Sequence, residues 1–275
     1  MACGVACGAG LVLAWHILGP EHGGILAGAS SFVVEHKRFD PSDPRLGRHV
    51  EHDSRSKEPR FVVRAMAKTK LKTTYWPTEA PGLDQGQVGS CTGNASAQLI
   101  NCELWTQIRE KILGHGVFAD EAYALKIYHE NTVLDGYPGT YPPDDTGSSG
   151  LAAAKSLQKL GLASSYKHSL SISELISGLQ TGPCIVGTNW TKGMFNPDKN
   201  FYVKPTGTVD GGHEFWCVGC DLEKEELWFR QSWGASWGTE IPNVCPSQAF
   251  RITIANFTKL LAAQGDATFP VPAAA

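Results

Sequence analysis

The chain has 275 residues, 42% of them hydrophobic and 9% aromatic, with a formal net charge of −3 and a pI near 6.3. That is enough to bury a core in one large domain or two small ones. Weak acidity and the lack of a long basic run argue against a nucleic-acid or anionic-membrane partner, and no apolar run reaches the roughly 18 residues a membrane span needs.

Residues 10–19 (GLVLAWHILG) have the length of a signal-peptide apolar core, and the small residues at 25–30 resemble a cleavage site. No Lys or Arg precedes the stretch, however, and His16 interrupts it. A buried element or an over-extended start is favoured over export. Residues 31–72 are polar and broken by Asp40-Pro41-Ser42-Asp43-Pro44, with short strand candidates at 32–34 and 61–63. The expected division is 1–72 as a lead-in, serving as a pro-segment or a surface wrap, and 73–275 as the main domain. The basic stretch 68–72 (KTKLK) reads as solvated surface.

Residues 73–83 are extended, broken by Pro77 and Pro81. A polar loop hinged at Gly86 and Gly89 then leads into Cys91, where small and apolar residues begin a helix predicted over 91–113. A thiol at a helix N-terminus meets unpaired N–H donors and a partial positive charge, which lower its pKa to roughly 3.5–7.5. A buried structural cysteine is the alternative. A second helix is predicted over 119–130 with Asp120 as N-cap, then a long Pro/Gly/Asp loop over 131–150 of the kind that carries function. A third helix spans 150–160, closed by Gly161, and a fourth spans 172–179, stopped by Gly182-Pro183. Short β-rich runs follow at 184–187, 213–220, 226–230 and 249–254. Helices first and strands second make an α+β chain.

Eight cysteines stand at 3, 7, 91, 102, 184, 217, 220 and 245 without the spacing of a disulfide framework. Cys217 and Cys220 form a C-x-x-C on a strand. Positions three apart on a regular strand point to opposite faces, so the pair is expected to be structural and not a metal site. No metal or cofactor is expected. His115, His129 and His168 read as surface or packing residues.

A thiolate nucleophile needs a base, an orienter for that base and a donor for the oxyanion. His213, held at a strand entrance by Gly211-Gly212, can supply the base. Gln231 opens a Trp–Gly–Trp–Gly loop and can supply an amide. These residues resemble the papain-like cysteine peptidases. Gln-Gly-x-x-Gly-Ser-Cys stands here as Gln85-Gly86-Gln87-Val88-Gly89-Ser90-Cys91. Gly-Gly-His before a strand stands as Gly211-Gly212-His213. The family's Asn-Ser-Trp-Gly-x-x-Trp-Gly stands as Gln231 to Gly238. The order matches, and His213 lies 122 residues after Cys91, near the family's spacing of roughly 130–150. The likeness covers about 73–257.

The resemblance implies a two-lobed fold: a helical N-terminal lobe and an antiparallel β-barrel-like C-terminal lobe, with the site in the cleft between. It implies Cys91 as nucleophile, His213 as acid/base, Gln231 as orienter and Gln85 with the Cys91 N–H as oxyanion donors. Trp233 would shield the imidazole. Gly147, Gly150, Gly212 and Trp233 would line the substrate, though Gly147 and Gly150 fit a plain helix-entry turn as well. The partner is a peptide or protein, the chain is expected to be a monomer, and the chemistry is acyl transfer through a thioester.

Thr92 replaces the family's aromatic, and Val88 its disulfide cysteine. The GSCTGNA run is similar to compact prokaryotic and phage-borne members, which favours a cytoplasmic or phage-particle location over secretion. Gln231 replaces Asn, so its oxygen is expected more than about 1 Å out of place. No propeptide pattern is recognisable in 1–72. A catalytically impaired binding or structural module, and a peptidoglycan-peptide amidase, are the rival functions.

Overall fold

A 13-residue strand, Val209–Asp221, runs through the middle of the structure, a computed structural model that describes residues 43–58 and 63–275. These residues belong to one unit, Lys37–Ala275; the unit Met1–His36 lies outside them, as do the expectations placed on 10–19, 25–30 and 32–34 and most of the strand expected at 61–63.

The strands are β1 (Thr74–Tyr75), β2 (Ala163–Ser169), β3 (Cys184–Thr191), β4 (Val209–Asp221), β5 (Glu226–Arg230), β6 (Thr239–Ile241), β7 (Cys245–Thr253) and β8 (Asp266–Pro272). They form one antiparallel sheet in the order β2-β8-β3-β4-β5-β7-β6, with β1 added on β4. The helices are α1 (Cys91–Ile100), α2 (Thr106–Leu113), α3 (Glu121–Leu134), α4 (Gly150–Lys159), α5 (Ile172–Leu179) and α6 (Ile254–Ala262). The class is α+β as expected, but the sheet is an open path and does not close into a barrel.

The long strands are apolar on both faces because both faces are covered. Ile185, Trp216 and Val218 pack with Leu99, Ile100, Trp105, Ile127 and Leu157 of the α1–α4 group. Val186, Phe215 and Phe229 pack on the other side with Leu175, Leu179, Phe257 and Leu260 of α5 and α6. Fully buried aromatics such as Trp216 and Phe215 each hold about 3–5 kcal/mol against truncation to Ala.

The helix expected over 91–113 is two helices. The Asn101 side chain leaves the helix axis to bond the backbone of Ala119, donating to its carbonyl and accepting from its N–H, both at 2.8 Å. Cys102 is then extended, and a short 3-10 turn precedes α2. Asp120 does cap α3, accepting from the Tyr123 N–H at 2.9 Å, but the helix runs on to Leu134. Ser149 and Ser171 cap α4 and α5 in the same way.

The expectation that Cys217 and Cys220 face opposite ways is overturned. The β4–β5 register shifts between Cys217 and Gly219. The irregularity inserts a residue into the pleat, so both thiols enter the same core layer, with Cys184 directly across from Cys217. They are free thiols, and among the described residues no group of three or more His, Cys, Asp or Glu is arranged to hold a metal ion.

Candidate active site

Cys91 is the first residue of α1, and the whole helix is buried. The loop before it is tied down from α3 and the 135–149 loop. Asp145 accepts from the Gly89 N–H at 2.8 Å and from the Tyr128 hydroxyl at 2.5 Å, and that hydroxyl accepts from the Gly147 N–H at 2.8 Å. One carboxylate thus joins the loop before Cys91 to the wall at Gly147. That wall needs glycine: Gly147 has φ +71°, and a Cβ there would lie 2.3 Å from the Gly47 carbonyl oxygen.

His213 lies on β4, fully buried, with the ring of Trp190 at 5.0 Å and that of Trp233 at 4.9 Å between centroids. Its Nε2 is 2.5 Å from Gln231 Oε1. The Ser232 N–H donates to the same oxygen at 3.0 Å, which fixes that oxygen as an acceptor. The imidazole therefore donates from Nε2 and keeps its lone pair on Nδ1, a buried atom without a hydrogen bond. The relay continues. Ser232 Oγ donates to Gln85 Oε1 at 2.7 Å, and the Gln85 N–H donates to the Ser232 carbonyl at 3.0 Å. Gln85 is thereby held with its Nε2 turned toward the Arg45 and Val88 carbonyls. The displacement expected at Gln231 is absent, since the longer amide reaches the imidazole.

Residues 45–49 run through the groove between these elements. Gln85 Nε2 donates to the Arg45 carbonyl at 3.1 Å as well as to the Val88 carbonyl at 2.8 Å. The Arg45 guanidinium lies 4.2 Å over the Trp233 ring. Ser148 N–H donates to the Gly47 carbonyl at 2.7 Å, the His49 N–H to the Ser148 carbonyl at 2.9 Å, and the Arg48 N–H to the Gly212 carbonyl at 3.1 Å. Arg48 turns inward between Gly187, Glu214 and Asp266. The fit is close: a Cβ on Gly47 would lie 1.8 Å from the Gly89 carbonyl oxygen, and one on Gly212 would lie 2.2 Å from the Arg48 carbonyl oxygen.

Burial under this segment sets the charge state. Burial pushes the Cys91 thiol up to about 12, against backbone hydrogen bonds from Glu214 and Gly47 that favour the thiolate. The depression expected at a helix N-terminus is reversed, because desolvation outweighs the end of a dipole. Burial likewise pushes His213 down to about 4, opposed by its contact with Gln231. Thiol and imidazole are both neutral near pH 7.

The structure thus joins Gln85, His213, Gln231 and Trp233 directly, and brings Gly147 and Gly212 to the same groove. Gly150 borders the Arg48 pocket: a Cβ there would lie 2.9 Å from Glu214 Oε1. Cys91 meets the group through the backbones of Gly47 and Glu214. His168 is a core residue, with Nδ1 3.0 Å from Thr268 Oγ1, and His115 is exposed beside Glu110. Reasoning from sequence missed Asp145, Arg45, Arg48, Glu214 and Asp266. Two of these carried a signal, since Glu214 is a charge inside the run HEFWCVGC and Asp266 opens the apolar run DATFPVP.

No family model and no curated protein matches the chain. Solved structures do. Xylellain, a cysteine protease from Xylella fastidiosa, superposes with a TM-score of 0.52 at 19% identity over 86% of this chain and 99% of that one. Digestive procathepsin L 3 from the Tenebrio molitor larval midgut gives 0.50 at 16% identity over 85% of this chain and 76% of that one. The fold is that of the papain-like cysteine proteases.

Proposed function

We propose that the chain is a cysteine peptidase whose nucleophile is Cys91, with residues 1–72 as a lead-in segment, of which 45–49 cover the groove, and 73–275 as the peptidase domain. The observation that carries this reading is the unbroken relay from His213 through Gln231 and Ser232 to Gln85. It provides a base with a free lone pair, an orienter and an amide donor on one rigid frame. In the open groove His213 Nδ1 takes the Cys91 proton, and the thiolate attacks a peptide carbonyl. Gln85 Nε2 and the Cys91 N–H hold the oxyanion. His213 then protonates the leaving amine, and water hydrolyses the thioester.

Residues 45–49 cover the groove through their backbone. Gln85 holds the Arg45 carbonyl, whereas the thiol meets the backbone of Gly47, two residues on. The oxyanion donor and the thiol thus meet different residues of the segment.

A peptidyl epoxide tests the reading. Stoichiometric labelling at Cys91, abolished by Cys91→Ala and slowed by His213→Ala, together with peptide hydrolysis, is expected. Absence of labelling at pH 6–7, once the segment is displaced, would leave a binding or structural module in place of an enzyme. Labelling without hydrolysis of ordinary peptides would point to an amidase of other substrates.

A further inference from the structure

Gln248 stands on β7 in a backbone conformation that suits glycine better. Its φ is +62°, in the left-handed region, and the residue is fully buried. That conformation is unfavourable for a residue with a Cβ and open to glycine. What the glutamine adds is its amide. Nε2 donates to the Leu83 carbonyl at 2.6 Å, and Gly82 makes room for the group: a Cβ on Gly82 would lie 2.1 Å from Gln248 Oε1. The Gln248 carbonyl accepts the Gln231 N–H at 3.0 Å. Gly238, at φ +81°, lets its loop lie against this backbone, since a Cβ there would come 2.8 Å from the Gln248 carbonyl carbon.

One buried residue therefore grips both ends of the relay. Its backbone holds the orienter Gln231, and its side chain holds Leu83, two residues before Gln85. Residues 83–85 are otherwise joined to 232–234 by three bonds. The Gln85 N–H donates to the Ser232 carbonyl at 3.0 Å, the Ser232 hydroxyl to Gln85 Oε1 at 2.7 Å, and the Gly234 N–H to the Leu83 carbonyl at a long 3.4 Å. Without the Gln248 amide, the Leu83 carbonyl keeps only the long bond, a weak tether for a buried acceptor. A strained backbone persists where its surroundings over-determine it, and such residues cluster at functional sites. Resting on the peptidase reading above, we infer that Gln248 is a positioning residue. Its left-handed backbone lets one side chain fix the strand of the oxyanion donor Gln85 at a set distance from the Gln231–His213 pair.

The test uses the full-length Gly47→Ala chain, in which residues 45–49 cannot reseat against Gly89, and compares two reactions of Cys91. Acylation by p-nitrophenyl acetate passes through an oxyanion as the thiolate adds to the ester carbonyl and p-nitrophenolate leaves. Alkylation by iodoacetamide forms no oxyanion. Gln248→Gly keeps the backbone carbonyl and removes only the amide. It should slow acylation about tenfold, part of the roughly 10²–10³ lost with a whole oxyanion donor, and leave alkylation within about twofold. Its melting temperature should stay within about 4 °C of the Gly47→Ala parent, because relief of strain offsets the lost hydrogen bond. Gln248→Asn tolerates the left-handed backbone but falls a methylene short of Leu83. It should behave alike, and it carries the test if the glycine variant does not fold. Equal loss of acylation and alkylation with a lower melting temperature would make Gln248 a packing residue and overturn the assignment. Unchanged acylation in both variants would overturn it as well. If Gly47→Ala is acylated no faster than the same chain with Cys91→Ala, the peptidase reading fails, and the NMR resonances of the Gln85 side-chain amide decide. Their displacement in Gln248→Gly keeps the positioning role, and their constancy sinks it.

Discussion

Gln231 shows how one extra methylene can be absorbed by the backbone that carries it. Its N–H donates to the Gln248 carbonyl at 3.0 Å, and its own carbonyl accepts from Gln98 Nε2 at 3.2 Å. These bonds fix the backbone at the distance where a glutamine, not an asparagine, touches the imidazole. Gln231→Asn should therefore retract the oxygen by more than about 1 Å and lower kcat/KM by ~10²-fold. Gln231→Leu should do at least as much and should also shift the pH profile of thiol labelling. An Asn variant as fast as the parent would show that the contact does not orient the base. The grouping of His213, Gln231 and Gln85 was legible in the sequence because each stands in a short run that resembles a family motif, and the structure joins them. The function of Ser232 was not, because its hydroxyl acts on a residue 147 positions away. Likewise Asp145 reaches Gly89 across 56 residues, and sequence spacing carries no trace of such a contact.

At the scale of elements, those with local signals matched expectation. Residues 172–179 formed their helix with a serine cap, and Gly161 (φ +76°) closed α4. The strands β2 and β8 went unread because their signals are weak. Residues 163–169 are mostly polar, with an exposed centre, and 266–272 contain two prolines. Each is a strand because it pairs with the other, a fact no local window holds. The segment 45–49 belongs to this scale as well. It is held by backbone pairing to Ser148 and Gly212 and by the close approach of Gly47 to Gly89. Gly47→Ala should expel it, since a methyl 1.8 Å from the Gly89 carbonyl oxygen cannot be housed. Overpacking of about 1–3 kcal/mol predicts at least about fivefold faster labelling of Cys91 by iodoacetamide. Labelling no faster than in the parent chain would mean that the segment does not cover the thiol.

Among the described residues, His168 and His213 are buried histidines pushed down from 6.5 to about 4 chiefly by burial. A depressed imidazole contributes stability that is complete above about pH 6.5 and is lost as pH falls toward 4, because the unfolded chain takes the proton first. Each is worth at most about 3 kcal/mol. Asp266, held low against Arg48 despite burial, weakens only below the usual carboxylate range, outside this window. Asp135, pushed up to about 6 by burial, acts with the opposite sign over part of it. The His168 contribution is therefore read as a difference: the stability advantage of the parent over His168→Gln should shrink by up to about 3 kcal/mol between pH 6.5 and 4 in denaturant melts. A constant gap would contradict the burial argument. At His213 the same sign acts on the groove. Its imidazole is depressed while Arg45 and Gly47 cover the site, and it regains water when they leave. Protons then bind the uncovered form more tightly, and acid favours release of the segment. Labelling of Cys91 in the parent chain should stay nearly level as pH falls from 6.5 toward 4, because the one proton taken up on opening offsets the ordinary decline of thiol reactivity in acid. In Gly47→Ala, already uncovered, only the decline should remain. A parent chain whose labelling falls in parallel with Gly47→Ala would separate the histidine from the segment and leave the groove without a pH-sensitive cover.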